Sequence, residues 1–292
     1  MELLDGKLVS EKLKANIKTE SAKLIDAGID PHLVAILVGD DPASQTYVRN
    51  KEKACLDAGI VSSVYRQSAS ITEDELLAMI DFINKDPEVH GLIVQLPLPA
   101  HINPDKVIQH IDPAKDVDGF HPVNIGRMML GLPAYLPATP FGILKLLEHY
   151  KVETEGKHCV VLGRSNIVGT PISVLMSRKA YPGNATVTTC HSKTQDLESI
   201  TRQADILIAA IGQAGFVKAD MVKEGAVVID VGMHRIPSTE TQSGFRLTGD
   251  VDFPEVSKKA SMITPVPGGV GLMTIVSLMH NTILAAKREI KY

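Results

Sequence analysis

Val160-Val161-Leu162-Gly163-Arg164-Ser165-Asn166-Ile167-Val168-Gly169-Thr170-Pro171-Ile172 is the stretch whose reading decides the fold. An apolar run opening at Cys159 is cut by a glycine and a polar loop, and apolar residues then return at helical spacing, at Ile172, Leu175 and Met176. The pattern predicts strand, tight turn, helix. At such a junction the helix N-terminus turns free N–H groups and the positive end of its dipole toward an anion, and glycine lets a pyrophosphate approach the backbone. Ser165 stands where the second glycine of a G-x-G-x-x-G fingerprint belongs, so an ordinary strand-to-helix turn is the competing reading.

The next strand, predicted over residues 185–189, ends in Cys190-His191-Ser192-Lys193. An NAD-preferring Rossmann unit places an Asp or Glu there for the ribose 2′-hydroxyl. No carboxylate is present, whereas Ser192, Lys193 and the loop residue Arg164 are suited to a 2′-phosphate. The reading favours NADP over NAD. Lys193 by itself is equally well explained as a solvated surface lysine.

The chain has 292 residues, 44% hydrophobic and 22% charged, which is enough for two domains with real cores. Its net charge of -4 gives no electrostatic case for nucleic acid or an anionic membrane, and small-molecule substrates are expected. Three cysteines, Cys55, Cys159 and Cys190, lie far apart on apolar segments, which points to a reducing compartment and no disulfide frame. The ten histidines are scattered without ligand spacing, so no metal site is expected. The first residues lack a long apolar core and no run approaches membrane-spanning length, so cytoplasmic residence is expected.

Outward from the opening stretch, buried apolar strands alternate with helices. A helix over residues 10–27 stops at Gly28, and residues 33–38 form a continuous apolar strand closed by Gly39. Asp41 and Pro42 open a helix running to Gly59, followed by a strand at 61–65, a helix at 73–84 and a buried strand at 91–95. Such alternation predicts a parallel α/β sheet. Residues 96–140 then carry eight prolines from Pro97 to Pro140 with only short helical stretches, the texture of working loops. A helix from Thr139 to about Tyr150 leads into the dinucleotide unit, whose further strands are expected at 206–210, 226–231 and 262–263. A final helix from Gly271 to about Lys287 follows the completed second sheet and is expected to pack back on the first domain.

The helix after Pro42 carries Ser44, Tyr47 and Lys51 on one face, by spacings of three and four. That face starts at the C-terminal edge of the first strand, where α/β sheets bind ligands. A lysine there serves as a general acid or base if burial lowers its pKa, and a tyrosine stacks on a flat substrate; an exposed amphipathic helix is the plain alternative. Gln95 ends an apolar strand just before Leu96-Pro97-Leu98-Pro99 and points its amide toward the same edge, either as a partner for Lys51 or as a strand-end cap. Lys115-Asp116-Val117-Asp118-Gly119-Phe120 offers two carboxylates two residues apart, one of which suits the paired N–H donors of a pterin edge. A turn held by Asx bonds competes for Asp116. Thr264-Pro265-Val266-Pro267-Gly268-Gly269-Val270-Gly271 combines stiffness with bare backbone, consistent with close approach of a ligand, with a hinge, or with both. Asp230-Val231-Gly232-Met233 either abuts the nicotinamide end of a cofactor or is a strand exit.

With these segments in hand, the chain resembles the bifunctional methylenetetrahydrofolate dehydrogenase/methenyltetrahydrofolate cyclohydrolase family over nearly its whole length. The resemblance is carried by Tyr47-Val48-Arg49-Asn50-Lys51, Gly91 through Pro99, Lys115 through Phe120, Gly163-Arg164-Ser165 through Gly169-Thr170-Pro171, and Thr264 through Gly271. It implies an α/β subunit of two domains with parallel-sheet βα arrays. The second is a Rossmann-type NADP-binding domain, folate binds in a cleft between the two, and the subunit forms a homodimer through the second domain. The expected division is residues 1–138 with 271–292 for the folate-binding, catalytic domain, and 139–270 for the NADP-binding domain.

The resemblance also implies two reactions, oxidation of 5,10-methylenetetrahydrofolate by NADP⁺ to 5,10-methenyltetrahydrofolate, then hydrolysis to 10-formyltetrahydrofolate. On the family's pattern Lys51 is the cyclohydrolase acid/base, Gln95 tunes it, Tyr47 stacks on and positions the folate, and Asp118 holds the pterin edge. Ser44, Pro267, Gly268 and Gly269 join Tyr47, Gln95 and Asp118 as expected substrate contacts, and Gly163, Arg164, Ser165, Ser192 and Met233 are expected to line the cofactor. Met233 stands where the family carries isoleucine, and Tyr181-Pro182-Gly183-Asn184 lengthens a loop. A dehydrogenase without hydrolase activity on the same scaffold is the main alternative. Lys51, Gln95 and Asp118 together argue against a dehydrogenase of some other small acid, and against a nucleotide-sensing or scaffolding protein.

Overall fold

A computed structural model describes residues 1–239, 241 and 244–292. The chain opens on a short strand β1 (Glu2–Leu3) and a helix α1 (Gly6–Asp26), then runs β2 (His32–Val38), α2 (Pro42–Asp57), β3 (Val61–Gln67), α3 (Glu73–Lys85) and β4 (Gly91–Val94). Two compact units emerge: residues 12–138 with 275–292, and residues 1–11 with 139–274.

In the first unit three parallel strands stand in the order β3-β2-β4. β2 is central because it is apolar on both faces. Leu33, Ala35 and Leu37 join a core with Ile17 and Leu24 of α1 and Val48 and Cys55 of α2. Val34, Ile36 and Val38 point the other way, into a core with Leu76, Ile80 and Ile83 of α3. Each fully buried Val, Leu or Ile among them contributes about 1.5–3 kcal/mol. From β2 the chain passes to β3 on one side and returns to β4 on the other. That switch sets the loops after β2 and β4 side by side at the C-terminal edge. Asp41 caps α2 by accepting from the Ser44 N–H at 2.7 Å, with Pro42 in the first turn.

The proline-rich stretch contains α4 (Pro104–His110) and α5 (Pro122–Met129), each begun by a proline and capped by the preceding side chain, Asn103 and His121. The Leu96–Pro97 bond is cis. After α6 (Ala138–His149) the second unit follows as β5 (His158–Leu162), α7 (Gly169–Ser177), β6 (Thr186–Cys190), α8 (Leu197–Thr201), β7 (Ile206–Ala209) and β8 (Val227–Asp230). An antiparallel hairpin of β9 (His234–Pro237) and β10 (Phe245–Thr248), a short α9 (Phe253–Val256) and β11 (Met262–Ile263) complete it, and α10 (Val270–Ala286) begins in this unit and continues from residue 275 in the first. The large sheet has the order β1-β11-β8-β7-β5-β6 and is parallel throughout. β5 lies between β6 and β7, so the quoted glycine loop sits at this sheet's own switch point.

Three features depart from the sequence reading. Residues 1–11, expected with the first domain, group with the second unit, because Glu2 and Leu3 pair with Met262 and Ile263. A two-residue strand has no period to read. The first helix begins at Gly6 rather than Ser10. The hairpin was not anticipated, since His234-Arg235-Ile236-Pro237 has no apolar run. The last helix enters the first unit's core from Val276 onward, where Leu278, Met279 and Ile283 pack with Leu33 and Leu37.

At the N-terminal edge of the first sheet the His32 N–H donates to His90 Nδ1 at 3.2 Å, and His32 Nε2 meets Ser63 Oγ at 2.9 Å. Burial lowers the pKa of both imidazoles, and for His90 the neighbouring His32 adds to it. The unfolded chain therefore binds these protons more tightly, and the stability these groups contribute is present above about pH 6.5 and lost as pH falls below it. A His90→Asn variant keeps an acceptor but cannot titrate. The stability of the parent relative to this variant, from urea unfolding, is expected to fall between pH 7.5 and 5; no change would show that the pair does not couple to folding.

Candidate functional site

The α2 face predicted from spacing forms at the C-terminal edge of the first sheet. Lys51 is 5% exposed, and its Nζ donates to Gln95 Oε1 at 3.3 Å and lies 4.5 Å from the Tyr47 ring centroid. Gln95 Nε2 donates to the Leu96 carbonyl at 2.7 Å, which fixes the amide with its oxygen toward the lysine. Burial lowers the Lys51 pKa, opposed by the charge of Asp118; the Asp118 carboxyl is in turn raised by burial and lowered by Lys51. The result is an amine held closer to neutrality than a surface lysine, with the Asp118 carboxylate near enough for its charge to be felt. Ser44 is buried one turn before Tyr47.

The two aspartates of the 115–120 segment divide as their spacing allows. Asp116 accepts from the His121 N–H and Asn124 Nδ2, both at 2.8 Å, and from the Phe120 N–H at 3.2 Å, so it closes the loop. Its pKa is pushed up to about 7 by burial despite these donors. Asp118 is the carboxylate left to Lys51. Sequence reasoning missed Asn281, a buried amide in the apolar helix α10 whose Nδ2 donates to the carbonyls of Val117 at 2.8 Å and Leu136 at 3.0 Å. A polar run, His280-Asn281-Thr282, inside an otherwise apolar helix was the available signal, because a buried amide needs partners.

In the second unit the glycine loop is shaped by close backbone approach. Gly163 has φ +120°, and a Cβ there would stand 2.1 Å from the Ala210 carbonyl oxygen; one on Gly169 would stand 2.3 Å from the Gly163 oxygen. Ser165 Oγ accepts from the N–H groups of Val168 at 3.2 Å and Gly169 at 3.3 Å, so this serine braces the start of α7. Arg164, Ser192 and Lys193 are exposed at the ends of β5 and β6. Met233 is 54% exposed, and its Cε is the atom a Cβ on Gly271 would strike at 2.4 Å. The loop after β7 is held by Asp250, wholly buried, which accepts from the N–H groups of Ile211, Gly212 and Gln213 at 2.8, 3.0 and 2.8 Å and meets His234 Nε2 at 2.7 Å. Sequence reasoning missed this brace as well. A bare backbone cradle with exposed cationic and hydroxyl donors fits a dinucleotide.

Pro267, Gly268 and Gly269 also belong to the second unit, so the structure groups Lys51, Tyr47, Gln95, Asp118 and Ser44 apart from them. The Val266–Pro267 bond is cis and Gly268 has φ +109°. Gly269 is needed for packing, since a Cβ there would stand 2.5 Å from the Pro265 oxygen. Among the described residues no group of three or more His, Cys, Asp or Glu is placed to hold a metal, and no helix is long and apolar enough to cross a membrane.

A parallel sheet with a glycine cradle at its switch point, and a second sheet presenting a buried amine at its edge, define a dinucleotide-dependent enzyme equipped for proton transfer. The chain belongs to the tetrahydrofolate dehydrogenase/cyclohydrolase family: residues 4–118 match its catalytic domain and residues 137–290 its NAD(P)-binding domain. It is 61% identical over 291 residues to the bifunctional protein FolD of Bacteroides fragilis, covering 99% of both chains. The bifunctional FolD dehydrogenase/cyclohydrolase of Campylobacter jejuni superposes with a TM-score of 0.93 at 51% identity, covering 99% of this chain and 100% of that one. The Trypanosoma brucei dehydrogenase-cyclohydrolase, solved with NADP and an inhibitor, gives 0.92 at 37% identity, covering 99% and 98%.

Proposed function

We propose that this chain uses NADP⁺ to oxidise 5,10-methylenetetrahydrofolate to the 5,10-methenyl compound and then hydrolyses that product to 10-formyltetrahydrofolate. The observation that carries the reading is the buried Lys51 amine held by Gln95 beside Asp118. Bifunctional relatives at 60–61% identity favour two activities over a dehydrogenase alone.

The cofactor, when bound, accepts the hydride that leaves the methylene carbon. Gly163 and Gly169 would admit its phosphates, Ser165 would brace that loop, Arg164 and Ser192 would meet the 2′-phosphate, and Met233 would line the nicotinamide end. Tyr47 stacks on the pterin, Asp118 accepts its paired N–H donors, and Ser44, Pro267, Gly268 and Gly269 complete the substrate contacts. In the hydrolysis a water oxygen bonds to the methenyl carbon and its proton passes to the neutral Lys51 amine. The same proton returns to the pterin nitrogen as its bond to that carbon breaks, the proton left on the added hydroxyl passes to solvent with the cation's positive charge, and the formyl group stays on the other nitrogen. Gln95 orients the amine through both steps.

The purified protein, given methylenetetrahydrofolate and NADP⁺, is expected to form NADPH while methenyl-folate stays low and 10-formyl-folate appears. Methenyl-folate decaying only at its uncatalysed rate would reduce the protein to a dehydrogenase, and no turnover with either NADP⁺ or NAD⁺ would overturn the reading. Three buried free cysteines support a reducing, cytoplasmic setting, and the net charge of -4 supports small-molecule substrates rather than nucleic acid. The chain pairs as a homodimer through the second unit, where the β9–β10 hairpin exposes Phe245 and Leu247 at 40% and 42%. Light scattering is expected to give twice the 31.5 kDa chain mass, and a monomer mass would rule the pairing out.

A further inference from the structure

Asp118 sits on a loop whose position is set by residues outside the Lys51 face. Three attachments fix it. At its start Leu92 N–H donates to the Lys115 carbonyl at 2.8 Å, joining the loop to β4. Within it, the Asp116 carboxylate gathers the Phe120 and His121 N–H groups, and Gly119, at φ +73°, turns the chain back beneath Asp118. From behind, Asn281 donates to the carbonyls of Val117 and Leu136, the residue just before Asp118 and a residue of the adjoining strap.

The Asp116 brace has its own support. Asn124 is fully buried, and Nδ2 donates to Asp116 Oδ2 at 2.8 Å and to the Pro113 carbonyl at 3.0 Å. Its remaining polar atom, Oδ1, accepts from the Tyr292 hydroxyl at 2.5 Å. With both ends of the amide engaged, its orientation is fixed. The Tyr292 ring is in turn held by the Arg127 guanidinium, 5.0 Å from its centroid, while Arg127 Nη2 donates to the Lys291 carbonyl at 2.9 Å. Hydrogen bonds thus run without a break from the C-terminal tail through Asn124 and Asp116 to the Phe120 and His121 N–H groups just after the turn that carries Asp118. None of Tyr292, Asn124 or Asn281 adjoins the amine in the structure, and the catalytic scheme uses none of them.

We propose that Asn281 and the Tyr292–Asn124–Asp116 relay are positioning residues that hold Asp118 at Lys51, and so set folate affinity and hydrolysis without acting on the cofactor. The proposal rests on the assignment of Asp118 to the folate made above. Tyr292→Phe is the sharpest test, because it removes one hydroxyl from a half-exposed ring and leaves the ring's packing in place. Loss of one such bond predicts a folate KM raised about 2- to 10-fold. The KM for NADP⁺ is expected to stay unchanged, while the urea midpoint falls modestly because the buried Asn124 Oδ1 loses its partner. The same substitution in an Asp118→Asn background is expected to add nothing further, since both changes act through one carboxylate. Asn281→Leu is expected to raise the folate KM in the same selective way; where that variant does not fold, Tyr292→Phe decides.

The outcomes separate the proposal from the reading beneath it. If Asp118→Asn leaves the folate KM untouched, the assignment of Asp118 is wrong and the proposal falls with it. If Asp118→Asn weakens folate but Tyr292→Phe does nothing, or acts equally in both backgrounds, or raises the NADP⁺ KM as much, the assignment survives and the relay is only structural.

Discussion

Lys51→Met is expected to lower the cyclohydrolase rate by about 10²- to 10⁴-fold, the range a positioned proton-transfer group supplies, while folate KM changes no more than a few-fold. Methionine fills much the same volume on α2 and keeps the stem packed, so the variant tests the amine rather than the fold. The dehydrogenase step needs no proton from this residue, because the hydride goes to the cofactor, and NADPH formation should persist with methenyl-folate now accumulating. Burial lowers the Lys51 pKa and Asp118 opposes it, so the amine's neutral fraction increases with pH and hydrolysis in the parent should rise through that pKa. In Asp118→Asn the opposing charge is gone, and this rise should shift to lower pH. Measuring hydrolysis of preformed methenyl-folate in the absence of NADP⁺ isolates the step. A Lys51→Met enzyme that hydrolyses at the parental rate would remove the lysine from the mechanism.

What could be read in advance follows from how locally each feature is encoded. β2 and β5 are uninterrupted apolar runs closed by glycine, and each lies inside its sheet, β2 between β3 and β4 and β5 between β6 and β7. The α2 face was visible because three- and four-residue spacing is a property of the helix itself, and Asp41 with Pro42 marks its start. Other features depend on partners distant in the chain. β1 exists only because Glu2 and Leu3 find β11 some 260 residues later, a register no local pattern records. The division of labour between Asp116 and Asp118 was left open by their spacing and is decided by Asn124, Phe120 and His121 gathering on the first of them. Asp250 was similarly opaque: its three N–H donors come from a loop nearly forty residues earlier. The glycines fall between these cases. Gly163 was legible as a place where backbone is bared, but the sequence pointed to a phosphate, whereas the structure adds the Ala210 carbonyl as an equally strict reason for it.

That second reason sets the other large effect. Gly163→Ala is expected to lose about 2–4 kcal/mol of stability and to raise the NADP⁺ KM at least about tenfold, the change that ~1.4 kcal/mol of lost binding produces. Two costs add. Alanine must adopt φ +120°, a region L-residues avoid, and its Cβ would stand 2.1 Å from the Ala210 oxygen. Ala210 cannot yield cheaply, because its own N–H donates to the Leu162 carbonyl at 2.8 Å as the ladder between β5 and β7 ends. Nor can residue 163 retreat, since its carbonyl already lies where a Cβ on Gly169 would clash, at the start of α7. Relief must come from shifting the loop, and the loop is where the dinucleotide phosphates would rest. Gly156→Ala separates the two costs: it too has positive φ, at +71°, but nothing lies within 4 Å of its Cβ position, so about 1 kcal/mol is expected there with no change in cofactor KM. Urea unfolding of both variants, with NADP⁺ titration and hydrolysis of preformed methenyl-folate alongside, gives the comparison. Hydrolysis should survive in Gly163→Ala, since Lys51 lies in the other unit. A Gly163→Ala protein no less stable than Gly156→Ala, or one binding NADP⁺ like the parent, would mean that the cradle yields and that this glycine is not what opens it.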